Sequence, residues 1–308
     1  MSRRRSALTC VAGLAAAWLA AFPAGAAGAP PQSAPPAAQV PAAGPALWVI
    51  RDADSTVYLF GTVHMLRPDT AWQTPRIMAA FDASTDIWFE VDEAAADNSS
   101  SLVVAHGLSS GRSLSNRLSA DERRALAEAA GRAGLTPDQV ETFRPWLAGL
   151  TLGNAPMAAA GYDGAFGVES GLRERAAAGG KTLRGLETME DQVRYLAALP
   201  EETELDLLRY MIQPPQVLVA DLDASVAAWL VGDSAGVEQA ATLAMRRQSE
   251  ALYQALMVRR SVLLADHVQT VLEGSGVAFV ALGAGYLAGD DSVGSVLEDR
   301  GIKVEAAP

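Results

Sequence analysis

Cysteine is all but missing from this chain. The one thiol, Cys10, lies in an N-terminal stretch that reads as a removable leader, so the mature protein has no disulfide and its core must carry stability alone. Histidine is scarce as well, with three in 308 residues, and aromatic residues make up 6%. Basic residues fall short of acidic ones, 24 against 36, which argues against a nucleic-acid partner because phosphate contacts need clustered Lys and Arg. Beyond the leader no apolar run reaches the length of a membrane span. A GxSxG elbow, an HExxH helix, a P-loop and a GxGxxG following a strand are all absent, which leaves several common enzyme classes without support.

What is present begins with export. Arg3, Arg4 and Arg5 precede an apolar region from Ala7 to Phe22, and Ala24-Gly25-Ala26 offers small residues for cleavage, the three parts of a secretory signal over residues 1–26. Cys10 lies at the start of the apolar region, the wrong end for a lipoprotein site. Cleavage would take the formal charge from −12 to −15, since three of the 24 basic residues and no acid go with the leader. The expected product is a soluble periplasmic or extracellular protein. Residues 27–45, "AGAPPQSAPPAAQVPAAGP", read as a disordered Pro/Ala tether. The rest, 46–308, is one domain with half its residues apolar, rich in Ala, Gly, Leu and Val. Helices should dominate over a modest sheet.

Strands are expected at Leu47–Arg51 and Thr56–Phe60 around the turn residues Asp52–Ser55, a hairpin. Thr74-Pro75 should open a helix running to about Ser84, and "DIWFEVDE" should be a strand over Ile87–Val91. From about 115 to 270 the pattern is mostly helical. Ser119 to Glu122 forms a capping box, Thr136-Pro137 starts a helix expected to carry "ETFRPWLAGL", and a short strand at Thr182–Leu186 precedes the capping residues Thr188 to Asp191. The last unit reads as strand, glycine turn, helix from about Ser292 to Asp299, and a final strand. The fold class is α/β (α+β), a central mixed sheet of N- and C-terminal strands with a large helical insertion.

"VYLFGTVHML" and "AFVALGAGYL" both run from an apolar strand into Gly-x-x-aromatic. Loops at the carboxyl ends of strands in α/β sheets are where ligands bind, so His64 and Tyr286 are both candidates. Glu90 sits amid Ile87, Trp88, Phe89 and Val91, where an unpaired carboxylate is costly and needs a metal, an Arg or a His. It shares a strand face with Asp92, and Glu93 follows. If Thr56–Phe60 and Ile87–Val91 are neighbouring strands, His64 and Glu90 meet at one sheet edge, an imidazole and a carboxylate suited to a divalent metal ion. Each has a plainer reading: His64 as a packed loop residue, Glu90 as an edge acid in water, Glu187 and Glu169 as helix-start acids. Arg260 reads either as a solvated helix residue or as a bidentate partner for a carboxylate or substrate. His106 reads as incidental among loop residues, and His267 as a packing or surface residue of a helix.

The chain resembles the TraB/GumN proteins, which are similar to the animal Tiki metalloproteases. The resemblance rests on "LWVI", "VYLFGTVHML", "WFEVDE", "RPWLAGL", "GVESGLRERAAAGGKTLRGLETMEDQ", "WLVGD" and "FVALGAGYLAGDDSVGSVLEDRGIKV", in family order from about 46 to 305. It implies a metal-dependent hydrolase acting on peptides or proteins. His64 matches the histidine of the first GxxH, Glu90 the strand glutamate, Glu187 the glutamate of "GLET", and Arg260 the arginine of an "RN" motif. His64 and Glu90 would then hold a divalent ion, with Glu187 or Glu90 as general base and Tyr286 as oxyanion donor. Two departures stand out. The "RN" pair reads Arg260-Ser261, and the second GxxH, usually "GAGHL", reads "GAGYL". A phenol is a poor substitute for a neutral imidazole at a metal, so the alternative is a pseudoenzyme that keeps the pocket as a binding module.

Overall fold

The structure is a computed structural model, and it describes residues 44–91, 99–109, 111 and 113–308. The stretch read as a leader, nearly all of the stretch read as a Pro/Ala tether, and Asp92 and Glu93 lie outside the described residues.

The first two strands, β1 (Leu47–Arg51) and β2 (Ser55–Thr62), form the expected antiparallel hairpin. Asp52 closes it, its Oδ1 accepting the N–H groups of Asp54 at 3.1 Å and Ser55 at 2.7 Å, the local bonding that makes Asp a turn former. Thr74 caps the helix Pro75–Ala83, its side chain accepting from Ile77 N. β3 (Asp86–Val91) follows, then β4 (Thr182–Glu187), β5 (Gly276–Gly283) and the two-residue β6 (Glu305–Ala306).

These six strands make one mixed sheet in the order β4-β3-β5-β2-β1-β6. β2, β5, β3 and β4 are mutually parallel, while β1 runs antiparallel to both β2 and β6. One expectation is corrected here. β2 and β3 are not neighbours, because β5 lies between them, with Thr62 opposite Gly283 and Phe89 opposite Ala281. The apolar runs of β2 and β3 do not encode which strand they pair with. Position between two others suits β5, which is buried on both faces over Ala278–Leu282.

Side chains alternate between the faces as the strand period of two requires. Phe60, Ile87, Phe89, Phe279 and Ala281 enter one core. It is covered by the helices Pro75–Ala83, Val168–Gly179 and Pro215–Leu230 through Phe81, Leu172 and Trp229. Val57, Leu59, Ala278, Val280 and Leu282 enter the other core, under the helices Arg259–Leu272 and Val293–Asp299. Each fully buried Phe or Leu contributes roughly 1.5–3 kcal/mol.

A third core lies among helices between β3 and β5, around Trp146, Leu147, Leu205, Leu208 and Leu252. The helical insertion is thus present, but β4 returns to the sheet edge in its middle. The helix opened by Thr136-Pro137 stops at Val140, and "RPWLAGL" begins a second helix at Pro145. The physical reason is Pro145, which cannot donate an N–H and pushes Arg144 into extended backbone, observed at φ −67° and ψ 153°. His106 lies on the helix Ser99–Gly107, not in a loop.

Candidate functional site at the carboxyl edge of the sheet

Because β2, β5, β3 and β4 are parallel, their carboxyl ends share one edge of the sheet. His64 follows β2, Glu90 is on β3, Glu187 ends β4, and Tyr286 sits in the short turn Ala284–Leu287 after β5. The edge therefore gathers the residues the sequence singled out, with β5 providing the bridge between His64 and Glu90.

That bridge is a hydrogen bond. Gly283 N, at the end of β5, donates to Glu90 Oε1 at 2.6 Å. The other Glu90 oxygen lies 4.0 Å from Arg260 Nη2. The Glu90 side chain is 15% exposed, and burial pushes its carboxyl above the usual carboxylate range, with His64, the Gly283 N–H and Arg260 opposing.

Arg260 and Glu187 are a buried, bidentate pair. Nη1 and Nη2 of Arg260 donate to the two Glu187 oxygens at 2.5 and 2.8 Å, and both side chains are under a tenth exposed. This fork-to-fork geometry is the strong form of the Arg–carboxylate bond. With both oxygens taken, Glu187 is held as the partner of Arg260 and is not placed to act as a base or a metal ligand. Burial works against the Arg260 charge, but Tyr286, Glu187 and Glu90 outweigh it and raise its pKa. The Tyr286 phenol is pushed up to about 12 by burial and by Glu90, against the nearby guanidinium. It is a neutral hydrogen-bond donor at physiological pH. Ser261, at the "RN" position, is 1% exposed and its hydroxyl has no hydrogen-bond partner among the described residues.

Arg260 owes its place to an irregular stretch. Two π-helical turns, Glu238–Thr242 and Gln254–Val258, interrupt the helices before it. Such bulges recur at functional sites. Thr242 and Met257, one from each turn, pack at 3.2 and 3.3 Å from where a Cβ on Gly285 would stand. The two bulges therefore press on the turn that carries Tyr286.

A residue given a plain reading in the sequence turns out to belong here. Glu169, at the start of the helix Val168–Gly179, accepts from His64 Nδ1 at 2.6 Å and from Thr62 Oγ1 at 2.5 Å, both on Oε1. Burial alone would push its carboxyl up, but His64 and Thr62 together hold it below the usual range. Gly167 explains how the two segments come so close: a Cβ there would stand 2.1 Å from the His64 carbonyl oxygen. Val168 N donates to Val63 O at 3.1 Å, and Leu66 and Asp163 exchange backbone bonds. The "GVES" glycine, required by backbone contact, was the available signal in the sequence.

The edge offers only part of what a divalent ion needs. A histidine whose Nδ1 faces a carboxylate is oriented as metal-ligating histidines are, and Glu90 is close enough to influence it electrostatically. A catalytic zinc takes three protein ligands, however, and no group of three or more His, Cys, Asp and Glu among the described residues is arranged to hold a metal. With Glu187 committed to Arg260, the described residues do not by themselves fit such a centre.

The fold and site define a class, an α/β protein with buried acid–base groups gathered at the carboxyl edge of a mixed sheet. Sequence comparison makes the class particular: the chain belongs to the TraB/PrgY/gumN family, whose model it matches over residues 46–306. It is similar to an uncharacterized protein of Treponema pallidum (strain Nichols), 23% identical over 268 residues, which is 82% of this chain and 80% of that one. No solved structure matches.

Proposed function

We propose that this protein is an exported hydrolase acting on peptides, with His64, Glu90, Arg260 and Tyr286 as its working groups. The observation that carries the reading is the meeting of a carboxylate-backed imidazole, a buried carboxyl and two hydrogen-bond donors at one edge of a parallel sheet. His64, with 57% of its side chain exposed, takes a proton from the water that attacks the peptide carbonyl carbon. The Tyr286 hydroxyl donates to the developing oxyanion, with the positive charge of Arg260 behind it. Glu90 delivers a proton to the leaving amine nitrogen as the C–N bond breaks. No step runs through a metal ion. The basic and apolar parts of residues 1–26 support export, and the mature form should begin after Ala24–Ala26, checked by intact mass of the secreted protein.

The test is cleavage of a mixed peptide library followed by mass spectrometry. Wild type should cut, and both His64→Ala and Glu90→Gln should lose about 100-fold or more. A wild type that cuts nothing, with or without added divalent ions, overturns the reading. Elemental analysis of wild type and His64→Ala checks the ion that the family resemblance implies.

One observation favours a second reading, a binding module that has lost catalysis. Tyr286 stands where the resemblance expects histidine, among the ion-paired groups Arg260 and Glu187. If Tyr286→His gains peptide cleavage or metal binding that the wild type lacks, the binding-module reading wins.

A further inference from the structure

The geometry points to Glu169 and Thr62 as a clamp that sets the tautomer and ring orientation of His64, so that Nε2 carries the lone pair that faces the reactants. The inference rests on the acid–base role proposed for His64 and deepens it by naming the reacting atom. Glu169 is a positioning residue, since it acts through the imidazole.

Thr62 is the last residue of β2 and is 3% exposed, so its hydroxyl is fixed by the strand. That hydroxyl donates to Glu169 Oε1 at 2.5 Å, and His64 Nδ1 approaches the same oxygen at 2.6 Å. One carboxylate oxygen thus gathers a strand hydroxyl and the ring two residues further on. Glu169 is the second residue of a twelve-residue helix whose first turn has no other acid, and a negative charge is stabilised at that end of a helix. The helix is itself tied to the His64 loop by the Val168 N–H on Val63 O and by the contact of Gly167 with the His64 carbonyl. The helix that carries the carboxylate is therefore held against the loop that carries the ring.

An ionised carboxylate can only accept. Its neighbour Nδ1 must then carry the proton, which in the neutral ring leaves the lone pair on Nε2. Free histidine side chains in water favour the opposite tautomer, so the clamp does measurable work. Without it the ring would turn and present the wrong nitrogen for part of the time, and a misdirected base loses rate even when the pocket is intact.

Two-bond 1H–15N correlation spectra of the imidazoles test this at a pH where the rings are neutral. With only three histidines, His64→Ala identifies the His64 signals. Wild type should show His64 as the Nδ1–H tautomer. Glu169→Met, matched in length but uncharged and at most a weak acceptor, should shift it toward Nε2–H and lower kcat on a cleaved peptide about 10- to 100-fold with little change in KM. An Nε2–H tautomer in wild type overturns the inference and needs no variant. A tautomer unchanged in folded Glu169→Met also overturns it. If the tautomer is Nδ1–H and moves as expected but no peptide is cut, the clamp stands and the hydrolase reading falls.

Discussion

The turn after β2 and the turn after β5 begin alike and end in different chemistry. Gly61 to His64 and Gly283 to Tyr286 share the pattern Gly-x-x-aromatic, and their strands are parallel neighbours with Thr62 opposite Gly283. His64 emerges more than half exposed, with its Nδ1 on the Glu169 carboxylate. Tyr286 instead packs beside a guanidinium, with its phenol pushed up to about 12 by burial and Glu90. A local pattern brings a ring to the sheet edge. What packs over that edge decides whether the ring ends in solvent or half-buried beside a guanidinium.

This comparison can be broken by mutation, most forcefully on the Tyr286 side. Arg260→Met leaves the Glu187 carboxylate buried without its partner, a change that costs about 3–5 kcal/mol. The urea midpoint should fall accordingly, and adding Glu187→Leu should restore most of the loss. A single variant as stable as wild type would show that the pair is not a buried charge pair at all.

Gly61→Ala attacks the contact between the two turns. A Cβ there would stand 3.1 Å from the Ala284 backbone and 3.3 Å from its Cβ, and overpacking of this kind costs about 1–3 kcal/mol. Thermal melts should report the loss, and the Tyr286 side should move more than the His64 side.

Away from both turns, the capping box at Ser119 provides a control for acid effects. Glu122 is lowered to about 2 from the ordinary value of 4.5 by the Ser119 N–H and by Arg209. Its folded pKa lies below the unfolded one, so the stability it contributes is present above pH 4.5 and is lost as pH falls from 4.5 to about 2. The side chain is 28% exposed, so screening reduces the effect to about 1 kcal/mol. Glu122→Gln, which retains an acceptor for the Ser119 N–H, should flatten the acid limb over that window.

His64→Ala should cost no more than about 1 kcal/mol of stability, because its ring is mostly in solvent and Thr62 still donates to the Glu169 carboxylate it leaves behind. Its effect on peptide cleavage should be the largest of all. A variant that is strongly destabilised would mark His64 as a structural residue and erase the contrast between the turns.

Much of the fold was legible because its signals are local. The hairpin turn at Asp52, the caps at Thr74, Ser119, Thr188 and Ser292, and the Gly180 stop with φ +61° all follow from side chains bonding their own backbone or from glycine's freedom at positive φ. The site was legible in part. His64, Glu90 and Tyr286 stand at strand ends, where apolar runs break at a glycine or hold a carboxylate. Glu169 was missed because an acid in the first turn of a helix has an adequate local explanation. Arg260 was ambiguous because two π turns precede it. Each adds a residue and shifts the helix face by about 100°, so a count of 3.6 residues per turn no longer tells which face it takes.

By itself, the sequence determined where elements start and stop, which faces of the strands are apolar, and which family the motifs belong to. These depend on neighbours a few residues apart. Only the tertiary structure decided that β5 separates β2 from β3, that Glu169 rather than Glu90 backs His64, and that Glu187 is bound to Arg260. Thr62 and Glu169 are 107 residues apart and Glu187 and Arg260 are 73 apart. Pairings at that range are selected by the packing of the whole sheet and its helices, because a buried charge accepts whichever partner the closed core brings within reach.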